Sequence, residues 1–366
     1  MEPTNIINVH THTFNRRNVP VKFLPAFLRP VADWLENRIF SNILAWIAEK
    51  LLRQKQYASL IKKYHSFLKI GDGKTQEDVL KELIAQYPIG TKFCILTMDM
   101  EYMGAGPVPQ PFEEQLRELA MLKRDPRYRK IIYPFIFAHP ERPNILEIVK
   151  HYIEVENFTG IKLYPPIGYY PFDERLDKIM AYAEKNRIPI TTHCSRGGVF
   201  YRGKITDAMR LHPITGERLP KTDNKTFCQH FTDPANYECL LKKFPNLVLN
   251  LAHFGGGSEW LKYLDKKIFS GEDTWLEKAA DLMVEYPNVY ADISYTMYDP
   301  RLFPQLKAML QLGHIRYKIL FGSDFYMVER EIAEREFFLK LRAFLGEDHY
   351  PIIANINPRV FLGIVK

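Results

Sequence analysis

Cysteine is scarce in this chain. The four present, at positions 94, 194, 228 and 239 of 366, form no C-x-x-C pair. Such spacing excludes a disulfide framework and a metal finger, and it suits a reducing compartment. Long hydrophobic runs are also missing: no apolar stretch reaches the roughly 18 residues of a membrane-spanning helix. The opening MEPTNIINVH carries an acid where a secretory signal has bases, with no small-residue cleavage site, so the expected location is cytoplasmic. No glycine-rich dinucleotide or phosphate loop follows the first strand-like run, which weighs against an open nucleotide-binding sheet. There is no repeat of fixed period and no low-complexity tract.

A general excess of one charge is lacking too. The formal charge is +7, but between Asn15 and Ile70 eleven Lys/Arg face only Asp33, Glu36 and Glu49, a local excess of +8 that leaves −1 for the rest. Basicity confined to one segment gives the body no face for nucleic acid. Within that segment Val31, Trp34, Leu35, Ile39, Ile43, Trp46, Ile47 and Leu51 keep helical spacing, and a second helical stretch covers residues 57–68. Thr75 as N-cap and Asp78 in the first turn then start a helix that Pro88 stops. Residues 15–90 thus read as a basic, helical insertion whose apolar stripe packs on the body. Covering the active site, contacting another subunit and touching anionic lipid are its other uses.

What is present is a rhythm. From residue 91 short β-rich runs alternate with helical patterns: KFCILTMDM, KIIYPFIFAHP, GIKLYPP, IPITTHC, LVLNLAHFGG, VYADISYTM and KILFGSDF, with NIINVHTH in front. Helices are expected between them at 112–123, 144–154, 172–186 and 235–244. Strands apolar on both faces alternating with helices indicate a parallel sheet, and eight such units predict a single (β/α)8 TIM barrel over residues 1–366, with the insertion after strand 1.

Polar residues gather where these strands end: His10 and His12 on strand 1, Lys162 on strand 4, His193 on strand 5, His253 on strand 6 and Asp324 on strand 8. Side chains two apart share a face of a strand, and in a barrel the carboxyl ends of all strands meet at one mouth. His10 and His12 can therefore grip one ion, neutral imidazole being a common ligand of zinc and its neighbours. Each residue has a plainer explanation when taken singly. The two histidines would form a surface patch, His253 and Asp324 would cap helices, and Lys162 would snorkel at the surface. Five strand ends carrying such residues together make the metal site the better explanation.

The sequence resembles the amidohydrolase superfamily, in the branch that includes hydrolases, lactonases and metal-dependent decarboxylases. The resemblance rests on HTH at 10–12, GIKLYPP at 160–166, THC at 192–194, FPNLVLNLAHFGGG at 244–257, YADIS at 290–294, LFGSDF at 320–325 and NPRVFLG at 357–363. It does not extend to residues 15–90. It implies one or two divalent metal ions, zinc foremost, held by His10, His12, His193 and Asp324. Asp324 would also take a proton from the metal-bound water, and His253 would orient that water or bind a second ion. A bound cation brings the pKa of water from about 15.7 to about 7. In binuclear relatives the strand-4 lysine, here Lys162, is carboxylated and bridges the metals. Pairing with a substrate carboxylate and a structural salt bridge are its other readings.

Softer candidates surround this set. Arg196, directly after strand 5, is suited to grip a carboxylate in two-pronged fashion, and Tyr164 and Tyr326 are candidates for lining the pocket. Asp99 and His139 end strands 2 and 3, facing the same mouth, and read as structural or as supports behind the site. The long stretch 195–233 reads as a lid or pocket wall. The leading expectation is a metal-dependent hydrolase of a small amide, lactone or ester, and the alternative is a metal-dependent decarboxylase or hydratase of a small carboxylate. A barrel nuclease would want an acid at position 162. A non-catalytic interaction module would have no need of the metal-type residues. A homo-oligomer is compatible with all of these readings.

Overall fold

The structure, a computed structural model, describes residues 5–23, 75–266 and 273–365. The helical patterns at 31–51 and 57–68, with Trp34 and Trp46, lie outside the described residues. All eight expected strands form: β1 (Ile7–Thr11), β2 (Lys92–Leu96), β3 (Ile132–Phe137), β4 (Gly160–Leu163), β5 (Ile190–Ser195), β6 (Leu249–Gly255), β7 (Val289–Asp292) and β8 (Ile319–Leu320). They pair in parallel in sequence order. β8 returns to β1 through the Val9 amide, which donates to the Phe321 carbonyl (2.9 Å), and the Asp324 amide, which donates to the His10 carbonyl (2.8 Å). This is the TIM barrel that the alternation of elements predicts.

Helices follow the strands: α1 (Gln76–Gln86), α2 (Phe112–Arg124), α3 (Ile145–Glu154), α4 (Asp177–Asn186), α5 (Pro234–Lys243), α6 (Gly257–Lys266), α7 (Trp275–Glu285) and α8 (Glu334–Pro351), with shorter turns between. α1 starts where expected, Thr75 and Asp78 capping each other's backbone amides, a device worth ~1 kcal/mol. The helix expected over 172–186 is shorter. Asp173 accepts from the Arg175 amide (3.0 Å), which tightens residues 174–176 into a 3-10 turn before α4 begins.

One irregularity aims the site. Asn8 and His10 would share a face in a regular strand, but the β1–β2 register slips between Asn8 and Thr11, as at a bulge. Asn8 accordingly reaches Tyr87 (3.0 Å) and Ser323 (2.8 Å), whereas His10 meets Asp292 on β7 (3.0 Å). Asn8 Oδ1 also accepts from the Ser323 backbone amide (3.1 Å), so a single side chain staples the seam between first and last strand.

Candidate active site

Four imidazoles from three strands meet at the mouth. Ring centroids lie 5.4 Å apart for His10 and His12, 4.8 Å for His10 and His253, and 4.6 Å for His193 and His253. All four are buried, which removes the reading of a surface patch. Each has one nitrogen committed to a protein acceptor. Nδ1 of His10 faces Asp292 (3.0 Å), Nδ1 of His12 faces the Leu96 carbonyl (2.7 Å), and Nδ1 of His253 faces the Ser294 carbonyl (3.0 Å). His193 is turned the other way round. Its Nε2 meets the Gly197 carbonyl (2.9 Å) and Ser195 Oγ (3.0 Å), and its Nδ1 is buried without a partner among the described residues. Anchoring one nitrogen fixes the tautomer and leaves the other to face a ligand. Burial, reinforced by neighbouring histidines, keeps His12 and His193 well below their ordinary pKa and brings His253 down to about 3. Neutral imidazole is the ligating form.

Two aspartates serve these rings differently. Asp324 lies beside His12, its Oδ1 3.9 Å from Nε2. It precedes the short helix Phe325–Val328, yet its carboxylate makes no capping bond and accepts no hydrogen bond from any described residue. Burial raises its pKa above the ordinary carboxylate value. Its φ of +58°, like the +69° of His253, is uncommon for a residue with a side chain, and such strain gathers at functional sites. Asp292 is the residue that sequence reasoning passed over. It accepts from His10 Nδ1 (3.0 Å), Asn250 Nδ2 (2.7 Å), the His253 amide (3.1 Å), and the amide (3.1 Å) and hydroxyl of Ser294. Burial works against its charge, but His10, His253 and Ser294 outweigh burial and hold it well below the ordinary range. The signal was in view as YADIS at the end of β7, although nothing local marks which aspartate orients and which reacts.

His10, His12 and Asp324 form one group whose ligating atoms all lie within 4.8 Å of one another, and His10, His253 and Asp292 form another. The first has free donor atoms; in the second the carboxylate is already saturated. His193 belongs to neither group. Lys162 is fully buried, which ends the surface-lysine reading, and its Nζ has no partner among the described residues. Burial lowers its pKa to about 8, against the pull of Asp292 and Asp324.

A cavity of about 720 Å³ opens above these groups. Residues 195–200 of the long strand-5 loop form part of its wall, as expected of that loop. A side chain at Gly198, where φ is +98°, would run into Tyr164 and come within 3.1 Å of the His193 ring, so close packing on His193 requires glycine there. Arg196 and Tyr164 line the cavity, both with prior commitments. Arg196 Nε binds Glu259 (2.8 Å) and its guanidinium stacks 4.1 Å from Trp275. Tyr164 Oη accepts from the Val199 amide (2.9 Å). Tyr326 lines it as well, stacked 4.8 Å from Phe14 with its hydroxyl donated to the Phe14 carbonyl. Asp99 pairs with Arg142 (2.5 Å) and His139 stacks on Tyr102 (4.3 Å), away from the cavity.

A sequence model of the amidohydrolase family matches residues 96–364, most of the chain. The chain belongs to the amidohydrolase family. No curated protein matches this amidohydrolase in sequence. Among solved structures it is similar to an uncharacterised TIM-barrel protein from Bordetella bronchiseptica (16% identity, TM-score 0.54, covering 98% of each chain). It is also similar to 4-oxalomesaconate hydratase from Rhodopseudomonas palustris (15%, 0.51, covering 98% of this chain and 95% of that one). A third is 5-carboxyvanillate decarboxylase from Sphingomonas paucimobilis (13%, 0.52, covering 99% of each). At these identities the likeness is one of fold, and fold does not select a reaction. No helix among the described residues is long and apolar enough to cross a membrane.

Proposed function

We propose that this amidohydrolase is a metal-dependent hydrolase of a small polar substrate, an amide, lactone or ester, with His10, His12, His193 and Asp324 holding a divalent cation, zinc foremost. The observation that carries the reading is the orphaned donor set. Four imidazoles are fixed by one nitrogen each, and among the described residues Nδ1 of His193 is buried without a partner and the Asp324 carboxylate accepts no hydrogen bond. Leaving buried polar groups unpaired is costly, and a cation among His10, His12 and Asp324, whose ligating atoms lie within 4.8 Å of one another, would engage them together. When bound, it supplies Lewis acidity and makes water available as a nucleophile near neutral pH.

The chain's own residues then divide the work. Asp324, with its pKa raised by burial, takes the proton of the attacking water and returns it to the leaving group, as a general acid–base should. His253 presents the nitrogen not used by Ser294 and orients the water and the substrate oxygen. Asp292 holds the His10 ring in place. Lys162 Nζ also needs a partner. As a neutral amine it can add carbon dioxide with release of one proton, and the resulting carbamate joins the donors. As an ammonium it pairs with a substrate carboxylate instead.

A second reading, decarboxylation or hydration of a small carboxylate, is favoured by the cavity lining. Arg196, Arg202, Lys225, Arg301 and Arg330 outnumber Asp299 and Asp324 there. Metal analysis of the purified protein should find one or two equivalents, lost in the double variant His10→Ala/His12→Ala. Equal metal content in both proteins would sink the site. Lactones, amides and aromatic carboxylates, assayed with carbon dioxide release followed in parallel, separate the two reactions. Carbon-13 NMR after equilibration with labelled bicarbonate shows a carbamate signal, absent in Lys162→Met, if the lysine is carboxylated.

A further inference from the structure

Five cationic side chains line the cavity, and their partners set them apart. Arg196 is neutralised by Glu259. Arg301 is chelated by Asp299, with Nε 3.0 and 2.9 Å from its two oxygens and Nη2 2.6 Å from Oδ2. Arg202 donates to the Lys22 carbonyl (2.8 Å) and lies over Phe200. Lys225 is exposed and solvated. Arg330 differs from all four. It is partly buried, and among the described residues it forms no ion pair. Among those residues the one hydrogen bond of its guanidinium runs from Nη1 to the thioether of Met327 (3.2 Å), a weak acceptor, and its buried Nε meets no acceptor. The neighbouring carboxylates are turned elsewhere: Glu331 accepts from the Tyr295 hydroxyl (3.2 Å) and Glu329 from the Glu334 amide (2.6 Å).

A guanidinium carries five donors in a rigid fork that matches a carboxylate. Leaving that fork half desolvated and unmatched is unfavourable unless something enters the cavity to meet it. Arg330 also follows Asp324 by six residues, across the short helix Phe325–Val328, and its charge is felt by both Asp324 and Tyr295. It lines the same cavity as Asp324, Tyr326 and Met327. Apolar and aromatic side chains line it too, among them Phe14, Met98, Tyr164, Tyr295 and Met327, and offer surface to a flat carbon body.

We infer that Arg330 is the anchor for an anionic group of the substrate, a carboxylate above all, and so determines which molecules the site accepts. This rests on the cavity being the substrate site, as proposed above, but not on which reaction follows. Arg330 holds one end of the substrate while Asp324 and the imidazoles act on the other.

The test uses benzoate as probe and benzamide as its neutral counterpart, with the metal-loaded protein and the variants Arg330→Lys and Arg330→Met. Calorimetry should show benzoate binding weakened at least tenfold in Arg330→Met and less in Arg330→Lys, with benzamide unaffected and metal content equal in all three proteins. Unchanged benzoate affinity in Arg330→Met, or no benzoate binding to the parent protein, overturns the assignment. Equal loss for benzoate and benzamide also overturns it, because it shows a collapsed cavity rather than a lost charge. Arg330-dependent benzoate binding in a protein that retains no metal supports the anchor and removes the hydrolase reading, so the two can fail separately.

Discussion

Asp292 ends β7 and Asp324 follows β8 by four residues, the same residue type on neighbouring staves of the barrel, and their surroundings are opposite. Asp292 receives five hydrogen bonds, and its ionised form is stabilised beyond any ordinary carboxylate. Asp324 receives none from a described residue and is biased toward holding a proton. A saturated carboxylate cannot accept a proton or a cation without giving up bonds already made. An unsaturated one has its lone pairs available. Hydrogen-bond accounting thus separates a saturated aspartate, suited to orient, from an open one, suited to the reactive role proposed above, where sequence position alone treats them alike.

The sharpest way to break this comparison is to neutralise each aspartate. Asp324→Asn should lower kcat on the true substrate by about a thousandfold, within the range for a lost general acid–base, while the melting temperature of the metal-free protein stays close to the parent's. A rate within tenfold of the parent would mean that Asp324 carries no proton. The next largest effect belongs to Lys162, which is fully buried and feels both carboxylates. Its folded pKa of about 8 lies below the unfolded value of about 10.5, so between those values the unfolded chain binds more protons and stability rises with pH. Below about pH 8 the buried amine is a constant cost of roughly 3 kcal/mol, at about 1.4 kcal/mol per pH unit between the two values. Metal-free Lys162→Met should therefore be the more stable protein at pH 7, and its advantage should shrink as pH rises from 8 to 10.5 in urea titrations of both proteins. An advantage that stayed constant with pH would show the amine to be paired. Smallest is Asp292→Asn. By loosening His10 it should weaken metal affinity 10- to 100-fold, the usual cost of losing such an orienting partner, read by competition with a chelator. A variant that bound metal as tightly as the parent would show that His10 needs no holding.

How much of this could be read from the sequence follows from distance along the chain. The strands were legible because a parallel strand buried on both faces leaves a continuous apolar run, as in KFCIL and KIIYPFIF. The candidate ligands on β1 and after β8 stood out because histidines two apart and an aspartate after a strand are local patterns. Partners far away in sequence were not legible. The Asp292 that steadies His10 lies 282 positions on, and the Glu259 that engages Arg196 lies 63 on. The hydroxyl of Tyr326 is committed to a carbonyl 312 positions back. Arg330 carried no motif at all; its standing comes from what its neighbours are doing. The bulge after Asn8 was equally hidden, since alternation alone would send Asn8 and His10 to the same side.

The staple at Asn8 also bears on how the molecule is made. Its two bonds to Ser323 span 315 positions, and at a synthesis rate of ~5–20 residues per second the first strand emerges tens of seconds before the last. During that interval His10 and His12 belong to a fragment that lacks the ring's final stave and the aspartate following it. The cluster of His10, His12 and Asp324 is thereby a property of the full-length barrel, and a chain ending before residue 320 would be unable to assemble it.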